Sequence, residues 1–505
     1  LKDANAALSI DPSHVESLFC KGRALHSLKQ FEYACYCFEM ALSLSPDAPD
    51  VRACLHTSKR CLDESSSDTL ARFSDFLLGK STSPTLHDHI GPVVVKETRN
   101  KSTGRGLFTT KSVKHGTLLV VSNAITMCQE DSKHFAIRLD DNRNRINKSS
   151  QENLVTKLVR LGMESPRHLH QIYALYSSKS SSSMSVPSMD LFLEAIETEE
   201  TLKIDVTRIR DIVRFNSFST YQVSTMDDDV YTTPQHLTGL WLLPSFINHS
   251  CIPNATWTIV GKAMVIHASS DMSSGDEITI PYFDTLIPLK MREKFGSHWG
   301  FVCQCNRCVL EKSMEVEMED KVRRFEYLYD QATDEYISSL SDKSPSKKKT
   351  SHLDAAFPAC SMISKLYSMI SHQVDEMRHL TDIQKKWMLG SFSHAFVAKY
   401  FLSWKAHKFD TPMYQSAIKM LDIVRACEPG SLITVNLAAR LYAIAMEARK
   451  PRQSSSLLLE EWKHDCVSHF GEQKSIVLEK LSSKITKTIP AFLNSSRHED
   501  VSVFS

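Results

Sequence analysis

Cys303, Cys305 and Cys308 stand within six positions in the order Cys-x-Cys-x-x-Cys, directly after the aromatic-glycine stretch Trp299-Gly300-Phe301. Thiolates so spaced suit a structural zinc ion, which takes four ligands tetrahedrally, so a fourth ligand is required. Cys251 is the candidate, supplied from a distant part of the chain. A four-cysteine site of that kind would staple the tail segment onto the loop that carries Asn248 and His249. The competing readings are three cysteines that share no ligand, or a metal site without catalysis.

Three further patterns could do chemistry. Asn248-His249-Ser250 offers an amide, an imidazole and backbone groups to a polar ligand, although a lone histidine is more often structural. Gly275-Asp276-Glu277-Ile278 leads into an apolar strand at Ile278–Pro281 and then Tyr282, whose ring suits a strand end and whose hydroxyl needs a partner if buried. Gly104-Arg105-Gly106-Leu107-Phe108 contains a Gly-x-Gly, which taken alone is usually a turn. No Ser-His-Asp order, phosphate loop or His-Glu-x-x-His helix occurs, which argues against the common hydrolases and nucleotide enzymes.

The elements that must position these residues follow from patterning. At the front, Leu8-Ser9-Ile10-Asp11-Pro12 returns 34 residues later as Leu42-Ser43-Leu44-Ser45-Pro46, which is the tetratricopeptide period. Between them lie Leu18, Gly22, Ala24, Leu25, Ala34, Phe38 and Ala41, small residues for close helix approach and large ones for the groove. One complete repeat, the tail of another and a helix at 49–62 are expected, and because one repeat cannot bury its own face, further repeats are expected before Leu1. A polar break at Ser65-Ser66-Ser67, a short helix at 68–78 and a loop make 63–90 a linker. From Gly91, Val93–Val95 and Leu118–Val121 read as strands around the turn Thr103–Phe108. Residues 123–235 read as a mostly helical insertion, with helices at Gln151–Met163, Arg167–Tyr176, Leu191–Glu200 and Asp205–Phe215, and a mobile Ser-rich stretch at Ser177–Ser188. Strands follow at Ala255–Ile259 and Met264–Ala268. Beyond 313 a helical domain runs to 505, with a disordered polar loop at 338–352 and a frayed end.

The bulk numbers bound the rest. The 505 residues carry 60 Lys+Arg against 59 Asp+Glu, a balance without a global nucleic-acid or membrane footprint. No run of about 18 apolar residues occurs, so no membrane span is expected. Thirteen cysteines, mostly in helical patterns, fit a reducing compartment, cytoplasmic or nuclear. Lys347-Lys348-Lys349 reads as a solvated loop rather than an import signal. The chain begins at Leu1 without Met or a secretory leader, and reads as a fragment.

Taken as an ordered set, Gly104–Phe108, Asn248-His249-Ser250-Cys251-x-Pro253-Asn254, Gly275–Tyr282 and the Cys-x-Cys-x-x-Cys tail resemble the SET domain of protein lysine methyltransferases. The insertion, the string Phe215-Asn216-Ser217-Phe218 and the tail spacing are most similar to the SET-and-MYND branch, over about 91–310 plus a helical C-terminal domain. The branch carries a MYND zinc finger after the position of Val121, where this chain has only Cys128, so partners of such a finger are not inferred. The tetratricopeptide helices 1–62, read from the repeat, are extra to most of that branch; beyond them the resemblance implies a SET domain 91–312 with its insertion and a zinc-bound post-SET tail at 299–310, then a C-terminal all-α domain, so that the whole is an α+β multidomain chain. It implies S-adenosylmethionine as methyl donor and a protein lysine, on a histone or another protein, as acceptor. Gly104, Arg105, Gly106 and Leu107 would line the methionine part of the cofactor, Asn248 and His249 would hold it with Asn216 nearby, and Phe301 would cover the adenine. Tyr282 matches the catalytic tyrosine and also faces the cofactor, while Cys251, Cys303, Cys305 and Cys308 would hold structural Zn2+. Tyr282-Phe283 at the channel mouth would bear on how many methyl groups fit. The tetratricopeptide helices would dock a partner protein. The alternative is a scaffold whose SET-like module has lost turnover; a zinc-stapled nucleic-acid binder is disfavoured by the neutral charge.

Overall fold

The structure, a computed structural model, describes residues 1–28, 30–77, 80, 84–98, 104–130, 148–178, 185–192, 202–221, 236–325, 327–328, 366–393, 411–447, 452–471 and 477–478. They fall into two compact units, Leu1–Asn248 with Trp257–Ile278, and His249–Thr256 with Thr279–Ser505. The division lies inside the 91–312 stretch, at the motif segments themselves.

The first unit opens with helices α1 (Lys2–Ile10), α2 (Val15–Ser27), α3 (Phe31–Leu44) and α4 (Pro49–Leu77). The small-and-large pattern packs as its residue types require: Leu18, Gly22 and Leu25 of α2 and Ala34, Phe38 and Ala41 of α3 are buried, with Ala24 half-buried. A Cβ at Gly22 would lie 2.5 Å from Phe38 Cε1, so only glycine lets that ring seat. Gly22→Ala is expected to cost about 1–3 kcal/mol by overpacking, read as a lower urea midpoint. The helix α3 also meets a strand, since the Tyr33 hydroxyl donates to Val93 O at 2.7 Å.

Helix α4 does not break at Ser65–Ser67. Serine costs a helix only a few tenths of a kcal/mol, and the far end of α4 buries Phe73, Phe76 and Leu77. Tertiary burial therefore outweighs a weak local signal. The Phe73 ring stacks 6.0 Å from His267 in the strand Ala263–Ala268, so much of the expected linker is a packed helix.

Three sheets follow, in this unit but for Ala255 and Thr256. Strands β1 (His89–Ile90), β4 (Leu118–Asn123), β10 (Ala263–Ala268) and β9 (Ala255–Val260) form the first in that order. Val121 pairs antiparallel with Val265 and Val120 with Ile266, and every residue of β10 is buried, which explains its unbroken apolar run. Strands β2 (Val93–Glu97) and β3 (Arg105–Thr109) pair antiparallel with Val95 opposite Leu107. The expected turn at Thr103–Phe108 is thus a strand from Arg105 onward, with Gly104 at φ +69° as its entry. The third sheet has the order β5 (Thr126–Glu130), β7 (His236–Leu240), β6 (Phe218–Tyr221). Two of its strands lie in the insertion expected to be mostly helical; each is short and gains its stability from pairing with β7, which no local window reveals. The helices there are α5 (Lys148–Glu164), α6 (Pro166–Tyr173) and α7 (Val206–Asn216). Ser165 and Asp205 cap α6 and α7 by accepting the backbone N–H of His168 and Arg208.

The second unit carries the strand β11 (Thr279–Ile280), helices α8 (Leu289–His298) and α9 (Asn306–Ser313), and further helices at Asp382–Gly390, Thr411–Cys427, Leu432–Glu447 and Arg452–Phe470. Its core holds Val424, Leu437, Leu441 and Trp462. The expected strand Ile278–Pro281 shortens to Thr279–Ile280. The polar loop at 338–352, Lys347–Lys349, residues 193–200 of the expected Leu191–Glu200 helix, the middle of the Ser-rich stretch and the chain end lie outside the described residues. No described helix is long and apolar enough to cross a membrane.

Candidate functional site

In the first unit, three of the sequence patterns meet at one amide. Asn248 Nδ2 donates to Arg105 O at 2.9 Å and to Glu277 Oε1 at 2.7 Å. Backbone pairing sets the same register, because Ile278 N–H donates to Leu107 O and Gly275 N–H to Thr109 O. Glu277, not singled out from sequence, is the acceptor that fixes Asn248. A Cβ on Gly106 would stand 2.6 Å from Glu277 Oε1 and 2.9 Å from Asn248 Nδ2, whereas one on Gly104 meets nothing within 4 Å. Gly106→Ala is therefore expected to cost about 1–3 kcal/mol in thermal unfolding, and Gly104→Ala about 1 kcal/mol through its positive φ alone.

The other two expected residues of this unit are engaged within it. The Arg105 guanidinium donates to Ala174 O at 2.8 Å and Ser185 O at 3.1 Å, and lies 5.0 Å from the Phe246 ring centroid. Asn216, buried at the end of α7, donates through Nδ2 to Tyr176 O and Ile212 O, both at 2.8 Å.

In the second unit, His249 links the tyrosine to the cysteines. The Tyr282 backbone N–H donates to His249 Nδ1 at 3.0 Å, which puts the ring proton on Nε2, and Nε2 lies 3.2 Å from Cys251 Sγ. Both ring nitrogens are thus engaged inside the protein, and what His249 can offer a ligand is its backbone. An aromatic cluster surrounds it. Phe283 stands 4.4 Å away by ring centroids, Phe301 5.4 Å and Tyr282 5.5 Å; Phe301 meets Tyr282 nearly edge-on at 87°, and Trp299 flanks Tyr282 at 5.9 Å. Tyr282 and Phe301 are half-buried. Two residues hold this loop, Asn254 from the Asn-His-Ser motif and Glu428 from outside every motif. Asn254 Oδ1 accepts from Thr279 N–H at 2.8 Å. The buried Glu428 carboxyl accepts from the Thr285 hydroxyl at 2.5 Å and from Thr285 N–H at 3.3 Å, and burial pushes its pKa up. Glu428 could not have been found from sequence, because it lies 143 residues from its partner.

The four cysteines come together. The Sγ atoms of Cys251, Cys303, Cys305 and Cys308 all lie within 4.8 Å of one another, and Cys308 stands 3.5 Å from Cys251. Tetrahedral zinc with Zn–S near ~2.3 Å puts sulfurs roughly 3.8 Å apart, so the donor set and its spacing fit the ion. Hydrogen bonding within the cluster, first from Cys251, holds Cys303 down to about 7 and lowers Cys305, while the same sharing of protons pushes Cys251 and Cys308 up, so a bound cation would have to displace the protons of that second pair. Cys251 and Cys308 are buried and Cys303 and Cys305 half-buried; four thiolates would complete a tetrahedral shell and leave no open position for chemistry.

Residues 104–283 match the family model of the SET domain, so the segment bearing the Gly-Arg-Gly, Asn-His-Ser and Gly-Asp-Glu patterns is a SET domain. The Cys-x-Cys-x-x-Cys tail lies beyond that match.

Relatives extend the likeness. A protein of Gibberella zeae named methyltransferase is 27% identical over 342 residues, 62% of this chain and 44% of that protein. A SET and MYND domain-containing protein of Dictyostelium discoideum is 37% identical over 82 residues, 16% of each chain. The histone-lysine N-methyltransferase ASHR1 of Arabidopsis thaliana is 37% identical over 102 residues, 20% of this chain and 21% of that one. The chain thus spans less than half the length of each of these relatives.

Proposed function

We propose that the chain is a protein-lysine N-methyltransferase that uses S-adenosylmethionine and carries one structural zinc ion on Cys251, Cys303, Cys305 and Cys308. The observation that carries this reading is the convergence at Asn248 of Arg105 and Glu277 within a SET domain. The names of the relatives support the reaction class.

When bound, S-adenosylmethionine supplies a methyl carbon carried on a sulfonium. The protein's part is placement. Gly104, Arg105, Gly106, Leu107, Asn216 and Asn248 are assigned to the donor, with His249 acting through its backbone and Phe301 offering a ring to the adenine. Tyr282 is assigned as the catalytic residue. Its hydroxyl dipole would orient the attacking amine and the developing charge, and most of the gain would come from holding amine and methyl at near-attack distance. A dry approach for the lysine would favour its neutral form, because burial lowers an ammonium pKa. Zinc held by the four cysteines would take no step; it would fix Cys251, whose sulfur lies 3.2 Å from His249 Nε2, while His249 Nδ1 accepts from the Tyr282 backbone N–H.

The helices α1–α4 are proposed to dock protein partners as tetratricopeptide repeats, and the near-neutral charge speaks against direct nucleic-acid binding. A cytoplasmic or nuclear location goes with the thirteen cysteines. The test is incubation of the purified chain with radiolabelled S-adenosylmethionine and cell extract, followed by site mapping. Label on lysine is the expected result. Failure to bind the donor would overturn the reading, and binding without transfer would favour a scaffold.

A further inference from the structure

Two arginines are buried beside the four sulfurs. Arg292 on α8 and Arg307 on α9 have side chains 1% and 0% exposed. A guanidinium taken out of water needs an anion and a full set of acceptors. Glu311 meets both, through Arg292 Nη2 and, at 2.8 Å, through Arg307 Nε. Ser391 fills the space between them: its hydroxyl accepts from Arg307 Nη2 at 2.8 Å and donates to Glu311 at 2.8 Å. One carboxylate in contact with two guanidinium groups leaves positive charge over, and that charge is aimed at the cysteines. Arg292 Nη1 donates to Cys308 Sγ at 3.3 Å, and Arg307 Nη1 to Cys251 O at 3.3 Å. Arg292 Nε is fixed by Ile287 O at 3.0 Å.

We propose that Arg292 and Arg307, oriented by Glu311 and Ser391, are the charge-balancing partners of the zinc centre, Arg292 by donating to the Cys308 sulfur and Arg307 by donating to the Cys251 carbonyl. Four thiolates around one divalent cation carry a net charge of about −2, which a dry interior tolerates only with cations at hand. Groups outside the ligand set that orient and neutralise it govern how tightly the ion is kept. A guanidinium fork does this better than an ammonium, because it can reach the sulfur and the carboxylate with separate N–H groups. The inference rests on the zinc reading above.

The experiment uses the full chain. Zinc is quantified by elemental analysis, its release to a colorimetric chelator is timed, and the thiolate-to-cobalt charge-transfer band is recorded after Co2+ replaces zinc. Arg292→Met is expected to release zinc about 10–100-fold faster and to shift the cobalt band, with Arg292→Lys between it and the unaltered chain. Arg425→Met supplies the comparison. It breaks the ion pairs with Asp465 and Glu461 elsewhere in the helical segment, and is expected to lower the unfolding midpoint without altering zinc release or the cobalt band. Zinc release and cobalt spectrum unchanged in Arg292→Met would reduce the arginine to a packing role and overturn the proposal. Should Arg292→Met not fold, Arg292→Lys and Arg307→Lys carry the test, and wild-type release in both overturns it. An unaltered chain without zinc would overturn the zinc reading and this inference together; zinc present with unaffected variants would overturn this inference alone.

Discussion

Tyr282→Phe is expected to lower methyl transfer by about 10²–10³-fold while leaving S-adenosylmethionine binding within a few-fold of the unaltered chain, since that is the scale of removing one positioned donor at a reacting centre. The substitution is narrow because of what it leaves in place. The Tyr282 backbone N–H still donates to His249 Nδ1, and the ring keeps its neighbours Trp299, Phe301 and His249. Loss of transfer therefore reports the hydroxyl rather than the loop. Single-turnover transfer with radiolabelled donor, beside donor affinity from calorimetry, separates the two quantities. Full transfer in the variant on every substrate lysine would remove Tyr282 from the chemistry.

Cys251→Ser is expected to take the zinc content from about one ion per chain to near none, and to destabilise the folded chain by about 3–5 kcal/mol, well inside the roughly 10–16 kcal/mol measured for structural zinc in small peptides. Cys251 has no exposed surface and sits where several bonds converge. Its sulfur faces Cys308 and His249 Nε2, and its carbonyl accepts from Arg307. Loss of the sulfur removes a ligand and leaves a hydroxyl in a cluster built for thiolates. Cys466→Ser offers the contrast, because that thiol is equally buried but lies outside the cluster; it is expected to keep its zinc. The pH dependence has a definite sign. Each ligand must lose a proton to bind, so acidification weakens zinc binding and raising the pH strengthens it. Elemental analysis after dialysis at stepped pH would show this, and a chain that holds its ion equally at acid and neutral pH would be using other donors.

The residue types and spacings of the candidate site are written locally, which is why its motifs could be read. Cys303, Cys305 and Cys308 announce a metal by spacing alone, and the need of zinc for a fourth ligand pointed to Cys251 in a distant part of the chain. The interior strands β4 and β10 and the helices Thr411–Cys427 and Leu432–Glu447 follow their apolar patterns closely. Where local signals were weak, tertiary contacts prevailed. The serines of α4 suggested a break, but Phe73 and Phe76 are buried and the helix continues through them. Strands β5 and β6 exist because β7 pairs with both.

His249 shows the limit most clearly. Its motif marked it as a residue of the cofactor loop, but no spacing rule says that its two ring nitrogens join the Tyr282 backbone to Cys251. The same holds for Glu277 beneath Asn248, for Glu428 under Thr285, and for the arginines beside the sulfurs. The sequence by itself determined the cysteine spacing, the order of the motifs and the apolar segments, because those depend on side-chain chemistry and on short-range periodicity. Only the tertiary structure decided which buried charge answers which, since a pairing across tens or hundreds of residues is selected by the cost of leaving a charge or a donor unmatched in a dry interior.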